Sequence, residues 1–175
     1  MILSLMGLPG SGIKEIGSLL ARKTGFPLRV TDDLIEQTYG KPVSRMQSEL
    51  GETGFRRIER DILCAVLDEY AGKNLILVCG DGMPVSPYMK RKLRENTRAV
   101  WIKKSVKAIA SDKENYAAFP YCGDRLKFID ACVERYRAYE SLAVQTVESE
   151  NNEVCAAFLT SYLHADKGEE LWTIP

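Results

Sequence analysis

Histidine is almost absent from this chain, with His164 the single example in 175 residues. The five cysteines, Cys64, Cys79, Cys122, Cys132 and Cys155, contain no C-x-x-C pair. Without paired cysteines or clustered histidines there is no ligand set for a structural zinc ion, no other metal site is expected, and an odd cysteine count does not make a disulfide framework. Free thiols fit a reducing cytoplasm, which is the expected location. Neither sign of charge is in excess, since Lys+Arg and Asp+Glu both number 24. That excludes the broad basic surface by which proteins hold nucleic acid or anionic membranes, and leaves room for a local basic pocket. No apolar run approaches the roughly 18 residues that a spanning helix needs. The apolar stretch Met1–Met6 has no basic segment before it and runs directly into Gly7, so neither a signal nor a transit peptide is expected.

What remains is an ordinary globular composition, 45% hydrophobic and 27% charged, at a length that suits one domain. Ile2–Met6 is a continuous apolar run entering glycines, which predicts a buried parallel strand. Ile16, Leu19 and Leu20 at helical spacing, stopped by Gly25, predict a helix. Phe26–Val30 reads as a second strand, after which Thr31 can cap a helix ending at Gly40. Pro42 opens a helical stretch to Leu50, and a long amphipathic helix follows with Phe55, Ile58, Ile62, Leu63, Val66 and Leu67 on one face. Leu75–Cys79 and Ala99–Ile102 are further apolar strands. Between them Ser86-Pro87 is an N-cap followed by proline at the first helical position. Ser105 caps another helix, residues 113–124 lack apolar periodicity and read as a loop, and a long helix covers roughly 124–141. Val144–Val147 and a helix at about 151–163 complete the series. Strands alternating with helices predict an α/β fold, a five-stranded parallel sheet with helices on both faces. The expected domain is 1–164, with a polar tail over 165–175.

Gly7-Leu8-Pro9-Gly10-Ser11-Gly12-Ile13-Lys14 lies between the first strand and the first helix. That is the setting for a loop whose backbone N–H groups converge on phosphate. The pattern G-x-x-x-x-G-K-[ST] adds a lysine for the β/γ-phosphates and a hydroxyl for Mg²⁺. Gly7 and Gly12 keep the spacing, but Ile13 stands in the lysine position and Lys14 in the hydroxyl position, with Glu15 following. The acidic Glu15 opposes the helix dipole that favours phosphate there.

The segments GLPGSG at 7–12, TDDLIEQTYGK at 31–41, GETGFRRIERDIL at 51–63, GDGMPVSP at 80–87 and VERYRAYE at 133–140, in this order and spacing, resemble the shikimate kinase family over nearly the full chain. The resemblance implies a P-loop fold like that of nucleoside monophosphate kinases. It implies ATP- and Mg²⁺-dependent phosphorylation of the shikimate 3-hydroxyl, a step of aromatic amino acid biosynthesis. It places the acceptor on Asp32, Arg56, Glu59, Gly80, Asp81, Gly82 and Arg135. The nucleotide falls on Gly7, Gly10, Ser11, Gly12, Ile13, Lys14 and Pro120. Several family positions are replaced. Val30 stands for the first aspartate of an Asp-Thr-Asp triplet, Asp81 for the middle glycine of a Gly-Gly-Gly run, and Phe119 for the arginine of the lid at about 113–124. Acceptor residues therefore survive while ATP and Mg²⁺ residues are lost, and the Mg²⁺ site with them. The catalytic candidates are Asp32, with Lys14 as a stand-in cation. Three readings stay open: a kinase with weak or absent catalysis, a non-catalytic protein binding shikimate or another small hydroxy-acid, and a kinase of a different small molecule. Tyr136 and Tyr139 read as packing. Lys14 and Asp81, unusual charges on neighbouring loops, are expected to pair across the phosphate site.

Overall fold

The computed structural model describes residues 1–111, 124–148 and 151–165. The expected lid loop apart from Asp124, with Phe119 and Pro120, and the tail beyond Ala165 lie outside these residues.

Five strands, β1 (Ile2–Met6), β2 (Leu28–Val30), β3 (Leu75–Val78), β4 (Arg98–Lys103) and β5 (Gln145–Glu148), form a sheet of order β2-β3-β1-β4-β5. Every pairing is parallel, with Leu3 opposite Ile76 on one side and Arg98 on the other. Seven helices are described: α1 (Ile13–Thr24), α2 (Thr31–Tyr39), α3 (Val43–Glu69), α4 (Pro87–Asn96), α5 (Val106–Ser111), α6 (Arg125–Leu142) and α7 (Asn152–Ala165).

The apolar strand runs follow from burial on both faces. Alternate residues of β1 point opposite ways, so Ile2 and Met6 pack with Leu63, Leu67 and Leu93, while Leu3 and Leu5 pack with Ile16, Leu20 and Leu159. The one polar residue of β1, Ser4, is fully buried and is satisfied by Thr97, Oγ to Oγ1 at 2.7 Å.

Local signals decide where elements start and stop. The Ser86 Oγ accepts from the Met89 N–H at the start of α4, Pro87 being its first residue. Ser105 accepts from the Ala108 N–H before α5, and Asp124 accepts from the Leu126 and Lys127 N–H groups before α6. The two helices expected on either side of Gly51 form α3, kinked where Gly51 takes φ 64° and ψ 177°. Two expectations need correction. β2 is shorter than Phe26–Val30, because it pairs on one side only, with β3, through Leu28, Arg29 and Val30. Thr31 is no N-cap. It is the first residue of α2, and its buried hydroxyl accepts the Gly80 N–H at 2.8 Å. That bond ties the start of α2 to the end of β3.

Candidate functional site

β1 and β3 are neighbours, so the loops that leave their C-terminal ends share one cleft, the place where open α/β sheets bind ligands. The loop after β1 turns at Gly10 (φ 81°) and Gly12 (φ 80°) and delivers the chain into α1. A side chain at Gly12 would collide with Asn152, which donates from Nδ2 to Glu15 Oε2 at 2.6 Å. Glu15 is thereby held at the loop by α7. The buried Ser11 Oγ has no hydrogen-bond partner among the described residues.

The loop after β3, Gly80-Asp81-Gly82, is crossed by ionic groups from three helices. A Cβ at Gly80 would come within 2.9 Å of Asp32 Oδ1 and 3.1 Å of Glu59 Oε1, and one at Gly82 would collide with the Arg56 guanidinium. Neither glycine has a positive φ, so what distinguishes both positions is this close approach of charged side-chain ends. Arg56 donates to Glu59 Oε2 at 2.5 Å and lies 3.4 Å from Glu52 Oε1. Arg135, 5% exposed, donates from Nε to Asp81 Oδ2 at 2.5 Å and from a terminal nitrogen to its own helix at Ala131 O. The structure thus brings Asp32, Arg56, Glu59, Asp81 and Arg135 around one short loop.

Burial dominates the titration of the carboxylates. It pushes Asp32 up to about 6 against the pull of the Lys14 ammonium, with the Asp81 charge adding to the rise. It pushes Glu59 up to about 7 even though Arg56 opposes the shift.

The expected Lys14–Asp81 pair is not formed. Lys14 Nζ lies 3.0 Å from Asp33 Oδ1, both side chains more than half exposed, while Asp81 is taken by Arg135. The reason is geometric and energetic. Asp33 sits in the first turn of α2, within reach of the first turn of α1. The buried Arg135 has greater need of a counter-charge than an ammonium that water can solvate. Tyr139, expected to be packing, does more: its fully buried hydroxyl contacts the carbonyls of both Asp81 (2.6 Å) and Gly7 (3.2 Å), bridging the two loops. Its position four residues after Arg135 puts it on the same face of α6, a spacing visible in the sequence. Tyr136 does pack, edge-on to Trp101 with ring centroids 5.0 Å apart.

The cleft opens into a cavity of about 720 Å³. The glycine loop, Val30, Val43 and Gln47 line it, together with the charged groups Lys14, Glu15, Asp32, Glu36 and Asp81. Arg56 and Arg135 are not among its walls. Arg135 meets the cavity through Asp81, and Arg56 lines a separate hollow with Thr53, Arg57, Arg60, Ser86 and Tyr88. Among the described residues no group of three or more His, Cys, Asp or Glu could hold a metal ion, and the four described cysteines are free thiols. No described helix is long and apolar enough to cross a membrane.

The family model described as shikimate kinase matches residues 9–164. The chain belongs to the shikimate kinase family. Among curated relatives, the shikimate kinase of Caulobacter vibrioides is 31% identical over 167 residues, covering 92% of this chain and 82% of that protein. The shikimate kinase of Mycobacterium avium is 40% identical over 93 residues, 53% of this chain and 51% of the relative, so this match spans only about half of each. Among solved structures, the shikimate kinase of Acinetobacter baumannii in complex with shikimate superposes with a TM-score of 0.81 at 21% identity, over 95% of this chain and 94% of that one. The shikimate kinase of Aquifex aeolicus gives 0.79 at 19%, over 95% and 98%. At these identities the structures speak for the fold, a five-stranded parallel P-loop kinase sheet with helices on both faces. The residues that follow Gly12 in the glycine loop are Ile13, Lys14 and Glu15.

Proposed function

We propose that this shikimate kinase family member binds a small polyhydroxylated molecule of shikimate's kind beside the Gly80–Gly82 loop, and that its phosphoryl transfer from ATP is slow or lost. One observation carries the reading: the glycine loop's only cation, Lys14, is held by Asp33 at 3.0 Å, and the next residue, Glu15, is held over the loop by Asn152. Phosphoryl transfer is mostly positioning and charge neutralisation, and loss of a single well-placed cation costs about 10³–10⁵ in rate.

The backbone suits a phosphate better than the side chains do. Gly10 and Gly12 adopt the left-handed angles of a phosphate-cradling turn, and the unpartnered Ser11 hydroxyl lies within it. Mg²⁺ requires oxygen ligands. The two positions that would support it by resemblance carry an ammonium, Lys14, and an isopropyl group, Val30, so the donor chemistry does not fit that ion. Among the described residues, ATP would accordingly be held chiefly through the backbone N–H groups of the glycine loop. On the acceptor side, Asp32 faces the cavity with its carboxyl pushed up to about 6 by burial. It can accept a hydrogen bond from a ligand hydroxyl and, when ionised, take its proton.

A thermal-shift panel of ATP, ADP, shikimate and methyl shikimate, with and without Mg²⁺, tests this, because stabilisation follows occupancy. Stabilisation by an acceptor molecule that exceeds that by Mg-ATP is expected, with ADP release in a coupled assay near background. Turnover at ordinary kinase rates, about 1–100 s⁻¹, would overturn it.

A further inference from the structure

We infer that the pocket takes an uncharged, hydroxyl-rich molecule rather than an acid, and that Asp81 sets this specificity by holding Arg135. The inference rests on the acceptor-binding function proposed above and names the class of ligand.

The charges that face the cavity are unevenly divided. Among the described residues its walls carry the carboxylates of Glu15, Asp32, Glu36 and Asp81 against the ammonium of Lys14. Lys14 is shared with Asp33 in an exposed pair at 3.0 Å, and one ammonium leaves the balance of these walls negative. The two guanidiniums near the Gly80–Gly82 loop do not redress the balance. Each already holds an internal carboxylate at 2.5 Å, Glu59 on Arg56 and Asp81 on Arg135, and neither forms part of the cavity wall. An incoming carboxylate or phosphate would meet a field of its own sign in a partly desolvated space, where such repulsion is poorly screened.

To meet the Arg135 guanidinium, a ligand carboxylate would have to displace the Asp81 carboxylate from Nε or lie against its charge. Several contacts resist that exchange. The Asp81 carbonyl accepts from the buried Tyr139 hydroxyl at 2.6 Å, which fixes the backbone from which the side chain springs. Arg135 is only 5% exposed and is anchored to Ala131 O, so it cannot turn to meet a ligand elsewhere. Asp81, with its side chain 26% exposed, stands on the cavity side of the pair. It therefore presents oxygen acceptors where a bare Arg135 would present donors. Hydroxyl groups without an ionised neighbour suit such a wall: they donate to Asp32 and Asp81 and bring no charge to repel. The pair also accounts for Asp81 itself, a carboxylate between two glycines whose absent side chains make room for Asp32, Glu59 and Arg56.

The test compares shikimate with its methyl ester, which keeps the ring hydroxyls and loses the charge. Titration calorimetry of the full chain is expected to show the ester binding at least as tightly as the acid. In Asp81→Gly the released guanidinium should improve the acid-to-ester affinity ratio by about tenfold or more, the scale of one hydrogen bond to a charged group, and in Asp81→Asn, which keeps an amide oxygen beside Arg135, the ratio should move the same way by a smaller factor. Wild-type protein that prefers the acid by about tenfold would overturn the inference whether or not the variants fold, and so would an unchanged ratio in a folded Asp81 variant. Failure of both ligands to bind wild-type and variant protein would overturn the proposed acceptor-binding function, and this inference with it.

Discussion

The Asp81–Arg135 pair lends itself to a double-mutant cycle whose single arms should be unequal. Arg135 is 5% exposed, whereas the Asp81 side chain is 26% exposed. Removing Asp81's charge with Asp81→Asn leaves a buried guanidinium, bonded to the Ala131 carbonyl, without its counter-charge. Stranding a buried charge costs about 3–5 kcal/mol. The amide oxygen of Asn can still accept a hydrogen bond, so the lower end of that range, about 3 kcal/mol, is expected. Removing the cation with Arg135→Met keeps most of the stem's packing and strands a carboxylate that can turn toward water, for a cost of about 2 kcal/mol. The double variant should cost less than the sum of the two, with a coupling of about 2 kcal/mol, because its second substitution strands nothing. Urea unfolding with a constant m-value reads all four corners. A coupling below about 0.5 kcal/mol, or a larger cost for Arg135→Met than for Asp81→Asn, would refute the account of Arg135 as a buried cation that depends on Asp81.

Three further outcomes are expected. Asp32 and Glu59 both titrate above their ordinary values of 3.8 and 4.5, at about 6 and about 7, so the folded state binds protons more tightly than the unfolded one. That stabilisation is present below the unfolded values and is lost as pH rises through about 6 to 7, so stability should fall between pH 5 and 8 by about 1–3 kcal/mol; Asp32→Asn should flatten the slope, and denaturant midpoints that rise over this range would count against the burial argument. Tyr139→Phe removes the hydroxyl that links Asp81 O and Gly7 O and should cost about 1–3 kcal/mol, with faster amide exchange in both loops; unchanged exchange would return Tyr139 to a packing role. Rebuilding the loop with Ile13→Lys and Lys14→Ser should restore little turnover alone, while adding Val30→Asp and Phe119→Arg should raise it by about 10³ or more; no gain in the quadruple variant would mean that the loop geometry, and not its side chains, limits transfer.

The layered fold was legible because burial on both faces writes itself into composition. Ile2–Met6 and Leu75–Val78 have no room for an alternating pattern when helices cover both sides of the sheet. Caps such as Ser86-Pro87 were legible because a cap is a local hydrogen bond between residues three apart. The residues of the ionic cluster could be named from their segments, but their pairing could not. Whether Asp81 meets Lys14 or Arg135 depends on which cation is buried, a property of α6 packing against the sheet and of no neighbouring residue. Thr31 likewise looked like a cap from its own surroundings, and only the adjacency of β2 and β3 reveals the Gly80 N–H as its donor. Tyr139 was misread for a related cause: its apolar surroundings are visible in the pattern of α6, whereas its two carbonyl partners come from loops more than fifty residues away.

We propose that the glycine loop lacks the side-chain chemistry for Mg-ATP while the Gly80–Gly82 side of the cleft keeps its polar groups. Titration calorimetry of ATP into the full chain, with and without Mg²⁺, addresses it most directly. Weak binding that Mg²⁺ changes by less than about threefold is predicted, because neither Lys14 nor Val30 offers the ion an oxygen. Micromolar binding of ATP that depends on Mg²⁺ would contradict it.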